Sequence, residues 1–260
     1  TKAEENGAAE RLHKRAVTRL RKQGIPTSSA FMVVKWKAIR GKEASAARLK
    51  WAEENPAEAA LFLAGSRAAN PPQVAFKAKW RLVYNFKALN AATIKLPMAY
   101  GMEREAVAKI QPGDTMLVLD VKDGFTAVPV AAEDSPLLHF VTDGHVPLEP
   151  RRMPFGYRLA PFFFCLFSAA VADALQAGLP EPLALHMYMD DALLVWPSSL
   201  QQDGVQIRNT AIQIMLDCGA PVSSEKIEGP ADQVRYLGVQ LQTTDTEVQV
   251  SIPEDKWFTL

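Results

Sequence analysis

The sequence predicts an α+β protein whose antiparallel sheet carries helices on one face. Short apolar runs of strand length recur through residues 115–141 and 185–252. Longer helical runs stand among them without the regular alternation of a parallel sheet, and Gly, Pro and Asn punctuate the boundaries.

Taken in order, residues 8–23 read as a helix stopped by Gly24, with Pro26 beyond. A second helical pattern covers 43–64 and breaks near Asn55-Pro56, where Asn55 can cap a new helix and Pro56 takes its first position. Ala69-Asn-Pro-Pro72 is a loop. From Val74 to Tyr84 the period changes and a strand pair is expected, followed by a break at Leu96-Pro97. A short helix is expected over 103–110, closed by Pro112-Gly113. Thr115-Met-Leu-Val-Leu-Asp120 is a buried strand, an apolar run bounded by turn signals. Further strands are expected at 128–130 and 137–141, then a long apolar helix over 161–177 ended by Gly178 and Pro180. Strands at 185–188 and 192–196 flank Met189-Asp190-Asp191. An amphipathic helix over 207–218 stops at Gly219, and strands at 234–241 and 247–252 finish the pattern.

Composition narrows the class. Nearly half of the 260 residues are hydrophobic and 22% charged, as in soluble globular proteins. The most apolar stretch, 159–175, is interrupted by Pro161, Ser168 and Asp173 and falls short of the roughly 20 residues a bilayer needs, so no membrane partner is expected. Cys165 and Cys218 lack metal-site spacing and read as free thiols of a reducing compartment. That places the chain inside the cell, cytoplasmic or nuclear, with an organelle left open. The chain opens on Thr1 and shows no signal peptide, which suggests a fragment or processed form. Zero net charge conceals an asymmetry. Residues 1–90 hold 18 Lys and Arg against 7 Asp and Glu, while residues 91–260 hold 11 against 22. A surplus of 11 positive charges in one part suits a polyanion partner, and solvated Lys/Arg-rich helix faces suit it equally.

Two adjacent carboxylates in the turn Tyr188-Met189-Asp190-Asp191 repel each other, and no neighbouring cation offsets them. A divalent cation is the usual remedy, since Mg²⁺ takes one or two carboxylates together with substrate phosphates. Asp120 ends a similar strand. Three carboxylates at one sheet end can hold two metals about 4 Å apart, as phosphoryl transfer uses them. A solvated Asp-Asp turn and a strand-end Asp120 fit the same spacing.

Around these residues the chain resembles the reverse transcriptases. The Tyr188–Asp191 turn resembles their signature motif. Lys79-Trp-Arg-Leu-Val-Tyr-Asn-Phe-Lys-Ala-Leu-Asn90 resembles the fingers segment R-x-V-x-D-[YF]-R-x-L-N, with Asn85 where the family usually has Asp and Lys87 where it has Arg. Asp120-Val-Lys-Asp-Gly-Phe-Thr-Ala-Val-Pro129 resembles the first catalytic motif, and Arg152-Met-Pro-Phe-Gly-Tyr-Arg-Leu-Ala-Pro-Phe162 the template- and nucleotide-positioning motif. Ser224-Glu-Lys226 and Tyr236-Leu-Gly238 resemble the lysine motif and the primer-grip hairpin. These motifs are collinear over residues 74–255. Met153-Pro-Phe-Gly156 and the tail from Glu225 to Lys256 are closest to DIRS-type or gypsy-type LTR elements.

The resemblance implies a right-hand polymerase fold with palm and fingers. Residues 1–70 form a basic helical extension and the start of the fingers, 71–114 the fingers, 115–233 the palm with a fingers insertion around 131–150, and 234–260 the primer-grip hairpin and start of the thumb. It implies an RNA-directed DNA polymerase that extends a DNA primer on an RNA template with dNTPs. Asp120, Asp190, Asp191 and the Val121 carbonyl would ligate two Mg²⁺ ions, with Mn²⁺ as an alternative. Lys226 would protonate the leaving pyrophosphate. Arg81 and Lys79 would grip the triphosphate, and Phe125 would act as steric gate beside Phe155 and Gly156. Arg152, Arg158, Tyr188, Met189, Leu237 and Gly238 would touch nucleic acid. Asp123 is expected to cap or face solvent, and the Phe162–Phe167 run to pack in the core. The basic segment around Arg11, Lys14, Arg15, Arg19, Arg21, Lys22, Lys35 and Lys37 would meet template phosphates or anchor the chain in a larger ribonucleoprotein or polyprotein. Two rivals are a domesticated scaffold in a large RNA–protein assembly and an RNA-dependent RNA polymerase, the second opposed by Phe125.

Overall fold

A computed structural model of the chain describes residues 9–11, 22–23, 26–38, 42–63, 71–73, 76–98, 101–142 and 147–253. Its strands and helices run β1 (Ala9–Arg11), β2 (Ser28–Ala38), α1 (Lys42–Glu54), α2 (Pro56–Leu63), β3 (Phe76–Asn85), α3 (Lys87–Ala92), α4 (Glu103–Val107) and β4 (Thr115–Asp120). They continue with β5 (Phe140–Val141), β6 (Pro147–Pro150), α5 (Ala160–Gly178), β7 (Ala184–Tyr188), β8 (Asp191–Trp196) and α6 (Gly204–Asp217). β9 (Glu228–Ala231), β10 (Gln233–Tyr236), β11 (Val239–Thr243) and β12 (Val248–Ser251) follow. The chain divides into two compact units, Ala30–Tyr84 with Glu254–Leu260, and Thr1–Ser29 with Asn85–Pro253.

In the smaller unit β2 and β3 are sheet neighbours. The expected break between α1 and α2 is present, but Asn55 acts differently from the expectation. Its side-chain amide donates to the Trp51 carbonyl at 3.1 Å and so closes α1, while its own carbonyl accepts the Ala59 N–H of α2. Trp51 meets Phe62 edge-on, with ring centroids 5.8 Å apart. The strand pair expected from Val74 to Tyr84 is one continuous strand, β3. No Gly, Pro or Asn interrupts Phe76–Tyr84, so nothing there turns the chain back.

The larger unit is built on an antiparallel sheet of order β7-β8-β4-β9. Successive side chains of a strand point to opposite faces. Leu117, Leu119, Leu194 and Trp196 therefore pack on Val171 and Leu175 of α5 and on Ile207, Ala211 and Met215 of α6. Met116, Val118, Leu193 and Val195 face the other way, onto Ala106, Ile110, Val234, Tyr236 and Leu241. The two long helices thus share one face as expected. The opposite face, however, is covered too, by α4 and by a second antiparallel sheet of order β10-β11-β12. Double coverage is why β4 is buried at all six positions and reads as an unbroken apolar run.

Several expectations give way to tertiary pairing. Of the helix expected over 8–23, Ala9–Arg11 is a strand paired with β6, and most of the rest lies outside the described residues. Pairing with β6 overrides the high helix propensity of Ala-Glu-Arg, which is a weak force against tertiary hydrogen bonding. The strand expected at 128–130 is a single bridge, Pro129 to Arg152, because Pro cannot donate to a ladder. The strand expected at 137–141 begins instead as a 3₁₀ turn, Ser135–Leu138, with Pro136 in its first turn. β6 and β9, each containing Pro, were not legible as strands. Helix α5 is long and apolar enough, by length and composition, to cross a membrane, yet Phe164, Val171 and Leu175 turn one face into the core. Of its aromatic run Phe164 is buried and Phe167 half-buried, whereas Phe163 is 40% exposed. Cys165 and Cys218 are free, half-buried thiols. The tail residues Glu254–Lys256 lie outside the described residues.

Candidate active site

The site forms where β4 and β8 meet end to end. Antiparallel register sets Asp120, the last residue of β4, directly opposite Asp191, the first of β8. Directly opposed residues hold their Cβ atoms about 5 Å apart on one face, so the pairing brings together carboxylates that are 71 positions apart in the chain. Asp190 follows from the tight turn between β7 and β8. Met189 in that turn has φ 52°, a left-handed conformation that costs a non-glycine residue about 1–3 kcal/mol. The Val121 N–H donates to the Asp190 carbonyl at 2.8 Å and locks the turn against β4.

Three acids this close destabilise one another's charged forms. Asp191 is pushed up to about 7, first by burial and then by the charges of Asp190 and Asp120, with Lys226 opposing. Asp190 is also raised, chiefly by burial and further by Asp120, while a backbone hydrogen bond and Lys226 oppose. Lys226 Nζ lies 2.5 Å from Asp120 Oδ2 and supplies the local counter-charge. Asp120 itself is 5% exposed, and its Oδ1 is buried with no hydrogen-bond partner. A buried carboxylate oxygen without a donor is costly; Lys226 satisfies Oδ2, and a second cation would satisfy Oδ1. Among the described residues no three His, Cys, Asp or Glu side chains form a ready-made cage. A divalent cation that takes one or two carboxylates and completes its shell with other oxygens would fit these acids without such a cage. The Val121 carbonyl accepts a long 3.4 Å bond from the Gly124 N–H.

Next to the carboxylates the chain turns through a 3₁₀ segment, Gly124–Ala127. A Cβ on Gly124 would stand 3.8 Å from Asp190 Oδ2, so Phe125 begins its side chain beside the acids. Its ring packs on Phe155 with centroids 4.9 Å apart and edge-on to Phe164 at 5.2 Å. Phe155 is 48% exposed, and the pair forms an aromatic floor open to solvent. Gly156 has φ 91° and keeps Phe155 on a tight turn. Asn90 secures that turn: its amide donates to the Gly156 carbonyl at 2.8 Å, and its oxygen accepts the Arg158 N–H at 2.8 Å.

A sequence match decides which family this arrangement belongs to. The family model for reverse transcriptase (RNA-dependent DNA polymerase) matches residues 69–241.

The chain belongs to the reverse transcriptase family.

Its relatives include retroviral polyproteins and the protein P of a duck hepatitis B virus. The Gag-Pro-Pol polyprotein of Human T-cell leukemia virus 2 is 24% identical over 202 residues, 69% of this chain and 14% of the polyprotein. Protein P of Duck hepatitis B virus (strain China) is 24% identical over 201 residues, 76% of this chain and 24% of that protein. The chain therefore spans a quarter or less of these relatives. Among solved structures, the foamy viral protease-reverse transcriptase in complex with RNA/DNA hybrid superposes with a TM-score of 0.56 at 22% identity, over 68% of this chain and 22% of that one. The foamy viral protease-reverse transcriptase dRH in complex with double-stranded DNA gives 0.55 at 17% identity, over 93% of this chain and 36% of that one. At these identities the likeness establishes the fold, the α+β architecture of a reverse transcriptase.

Within that fold Asp120, Val121, Asp190, Asp191 and Lys226 converge, as do Phe125, Phe155 and Gly156. Tyr188 pairs with Asp191 across the β7–β8 hairpin. Leu237 and Gly238 form a two-residue turn with φ 46° and 88°, both positive as in a type I′ hairpin. Arg152 and Arg158 take up structural bonds that sequence did not foresee. Arg152 donates to the Ala127 carbonyl at 3.0 Å and Arg158 to that of Thr93 at 2.7 Å. Asp123 is exposed with φ 61° and makes no side-chain cap. The side chains of Lys79 and Arg81 lie outside the described residues, as do most of the basic residues before Lys42. Asn90, Ser168, His186 and Tyr236 were not singled out from sequence as site residues. Asn90 and Tyr236 stand inside the quoted motifs, and Ser168 is signalled as a Ser in a largely apolar helix, because a buried hydroxyl needs a partner.

Proposed function

We propose that this chain is the polymerase core of an RNA-directed DNA polymerase from a retroelement polyprotein, extending a DNA primer on an RNA template with dNTPs. The observation that carries the reading is the opposition of Asp120 and Asp191, with Asp190 adjacent and one Asp120 oxygen buried without a donor. Met153-Pro-Phe-Gly156 and the tail pattern support an element of DIRS type or gypsy type.

Asp120, Asp190 and Asp191, helped by the Val121 carbonyl, would hold two Mg²⁺ ions or Mn²⁺ in their place. Such ions supply Lewis-acid chemistry, acidifying the primer 3′-hydroxyl and neutralising triphosphate charge. The chain's own groups do the rest. Phe125 and Phe155 support the sugar and base, and the Phe125 ring fills the space a 2′-hydroxyl would need. Lys226, half-exposed beside Asp120, donates a proton to the departing pyrophosphate. Leu237 and Gly238 present main chain to the primer end, and Arg81 and Lys79 grip the phosphates with charge-assisted hydrogen bonds.

The test is primer extension on an RNA template with Mg²⁺ and either dNTP or rNTP, for the wild type and Asp190→Asn. Extension with dNTP is expected, with a loss of at least about a thousandfold in Asp190→Asn. Incorporation of rNTP in preference would transfer the chain to the RNA polymerases. Template binding without any extension would favour the scaffold.

A further inference from the structure

Three successive main-chain carbonyls of the catalytic turn are each taken by a donor from a different element. Ser168 Oγ on α5 donates to Met189 at 2.7 Å. The Val121 N–H after β4 donates to Asp190 at 2.8 Å. Tyr236 Oη at the end of β10 donates to Asp191 at 3.2 Å. The last two carbonyls belong to the acids themselves, and the first to the residue held at positive φ between Tyr188 and Asp190.

Both side-chain donors are buried, Ser168 at 5% exposure and Tyr236 at 2%. The Ser168 hydroxyl also reaches the Phe164 carbonyl one turn back, at 2.9 Å, but the bond to Met189 is the shorter. The Tyr236 phenol is itself steered. Its oxygen lies 2.8 Å from Nδ1 of His186 on β7 and 3.3 Å from the His186 carbonyl. A phenol has one proton to give; in the tautomer with the proton on Nδ1, His186 donates to Tyr236 and the phenol proton goes to the nearer carbonyl, that of Asp191. The rings stand edge-on at 5.7 Å. Behind them Gly101 closes the space, since a Cβ there would come within 2.6 Å of His186 Nε2.

We infer that Ser168 and Tyr236 are positioning residues for the catalytic acids, with His186 setting the direction of the Tyr236 hydroxyl. By fixing the carbonyls of Met189 and Asp191 they decide where the Asp190 and Asp191 carboxylates stand when a divalent cation binds. Tyr236 also makes the Leu237–Gly238 hairpin mechanically continuous with the acids. The inference rests on the polymerase reading of the site.

The test measures Mn²⁺ binding to the full chain by electron paramagnetic resonance, together with kcat and KM for dNTP and the thermal midpoint. Tyr236→Phe and Ser168→Ala each remove one hydroxyl. Both are expected to weaken Mn²⁺ binding and to lower kcat between about tenfold and a hundredfold with KM little changed, the effect of misplacing a reacting group slightly. Their combined effect should be less than the product, because both act on one turn. Ser168→Thr restores the hydroxyl and should recover most of the loss. Leu241→Val trims the same core without touching the turn, and should lower the thermal midpoint with Mn²⁺ affinity unchanged. If Tyr236→Phe fails to fold, His186→Gln removes the steering alone and should show the same kcat loss. Wild-type Mn²⁺ affinity and kcat in the hydroxyl-deleted variants would overturn the inference, as would an equal loss in Leu241→Val. A wild type that neither binds Mn²⁺ nor extends a primer would overturn the polymerase reading, and this inference with it.

Discussion

Asp191 shows what a single residue contributes and what it costs. Burial and two neighbouring acids push its carboxyl up to about 7, whereas its ordinary value is 3.8. The folded chain therefore keeps a proton that the unfolded chain releases, and between those values folding binds protons. This contribution to stability is fully present below 3.8 and is lost as pH rises through about 7. Calorimetry without divalent metal should show the melting temperature falling across that window. Asp191→Asn should flatten the fall and melt higher at neutral pH, because it removes a charge without changing shape. Mg²⁺ affinity should move the opposite way, rising up to about tenfold per pH unit while one proton is displaced, as titration calorimetry can follow. A pH-independent melting temperature in the wild type would show that the three acids do not share their charge as the geometry requires.

At the scale of the element, β9 places Lys226 and thereby the counter-charge of Asp120. It pairs with β4 through a register shift between Met116 and Val118. Gly229 makes that approach possible. It has φ 96°, and a Cβ there would stand 2.3 Å from the Met116 carbonyl oxygen. Gly229→Ala is expected to cost about 1–3 kcal/mol from backbone conformation alone, and more once the strands part. Chemical denaturation would measure it, and a loss below about 0.5 kcal/mol, the range of neutral surface changes, would refute the close approach. Elements also explain which site residues could be read from sequence. The acids and Phe125 stand beside turn signals and strand ends, where one-dimensional patterns are sharp. Asn90 is different: it ends a recognisable motif, yet its two bonds reach Gly156 and Arg158, more than 60 positions away.

For the whole molecule, the zero net charge hides the surplus of 11 positive charges in residues 1–90. If that segment meets template phosphates, affinity for an RNA–DNA duplex should fall steeply with salt. Replacing Lys14, Arg15 and Arg19 with Ser should flatten the plot of log Kd against log salt by about 0.9 for each phosphate no longer neutralised. An unchanged slope would assign these residues to a protein partner instead.

The sequence by itself determined the fold class, the buried β4, the hairpin bearing Asp190 and Asp191, the helix breaks and the family motifs. Each is a local pattern of hydrophobic period, turn residues or contiguous motif. Only the tertiary structure decided that the β7-β8-β4-β9 sheet is covered on both faces, that Ala9–Arg11 pairs as a strand, and that Arg152 and Arg158 bond to main-chain carbonyls. It also decided that Ser168 and Tyr236 reach the Met189 and Asp191 carbonyls and that His186 bonds to Tyr236. Those outcomes depend on hydrogen bonds between residues far apart in the chain, and no periodicity along the chain records which distant donor a carbonyl will find.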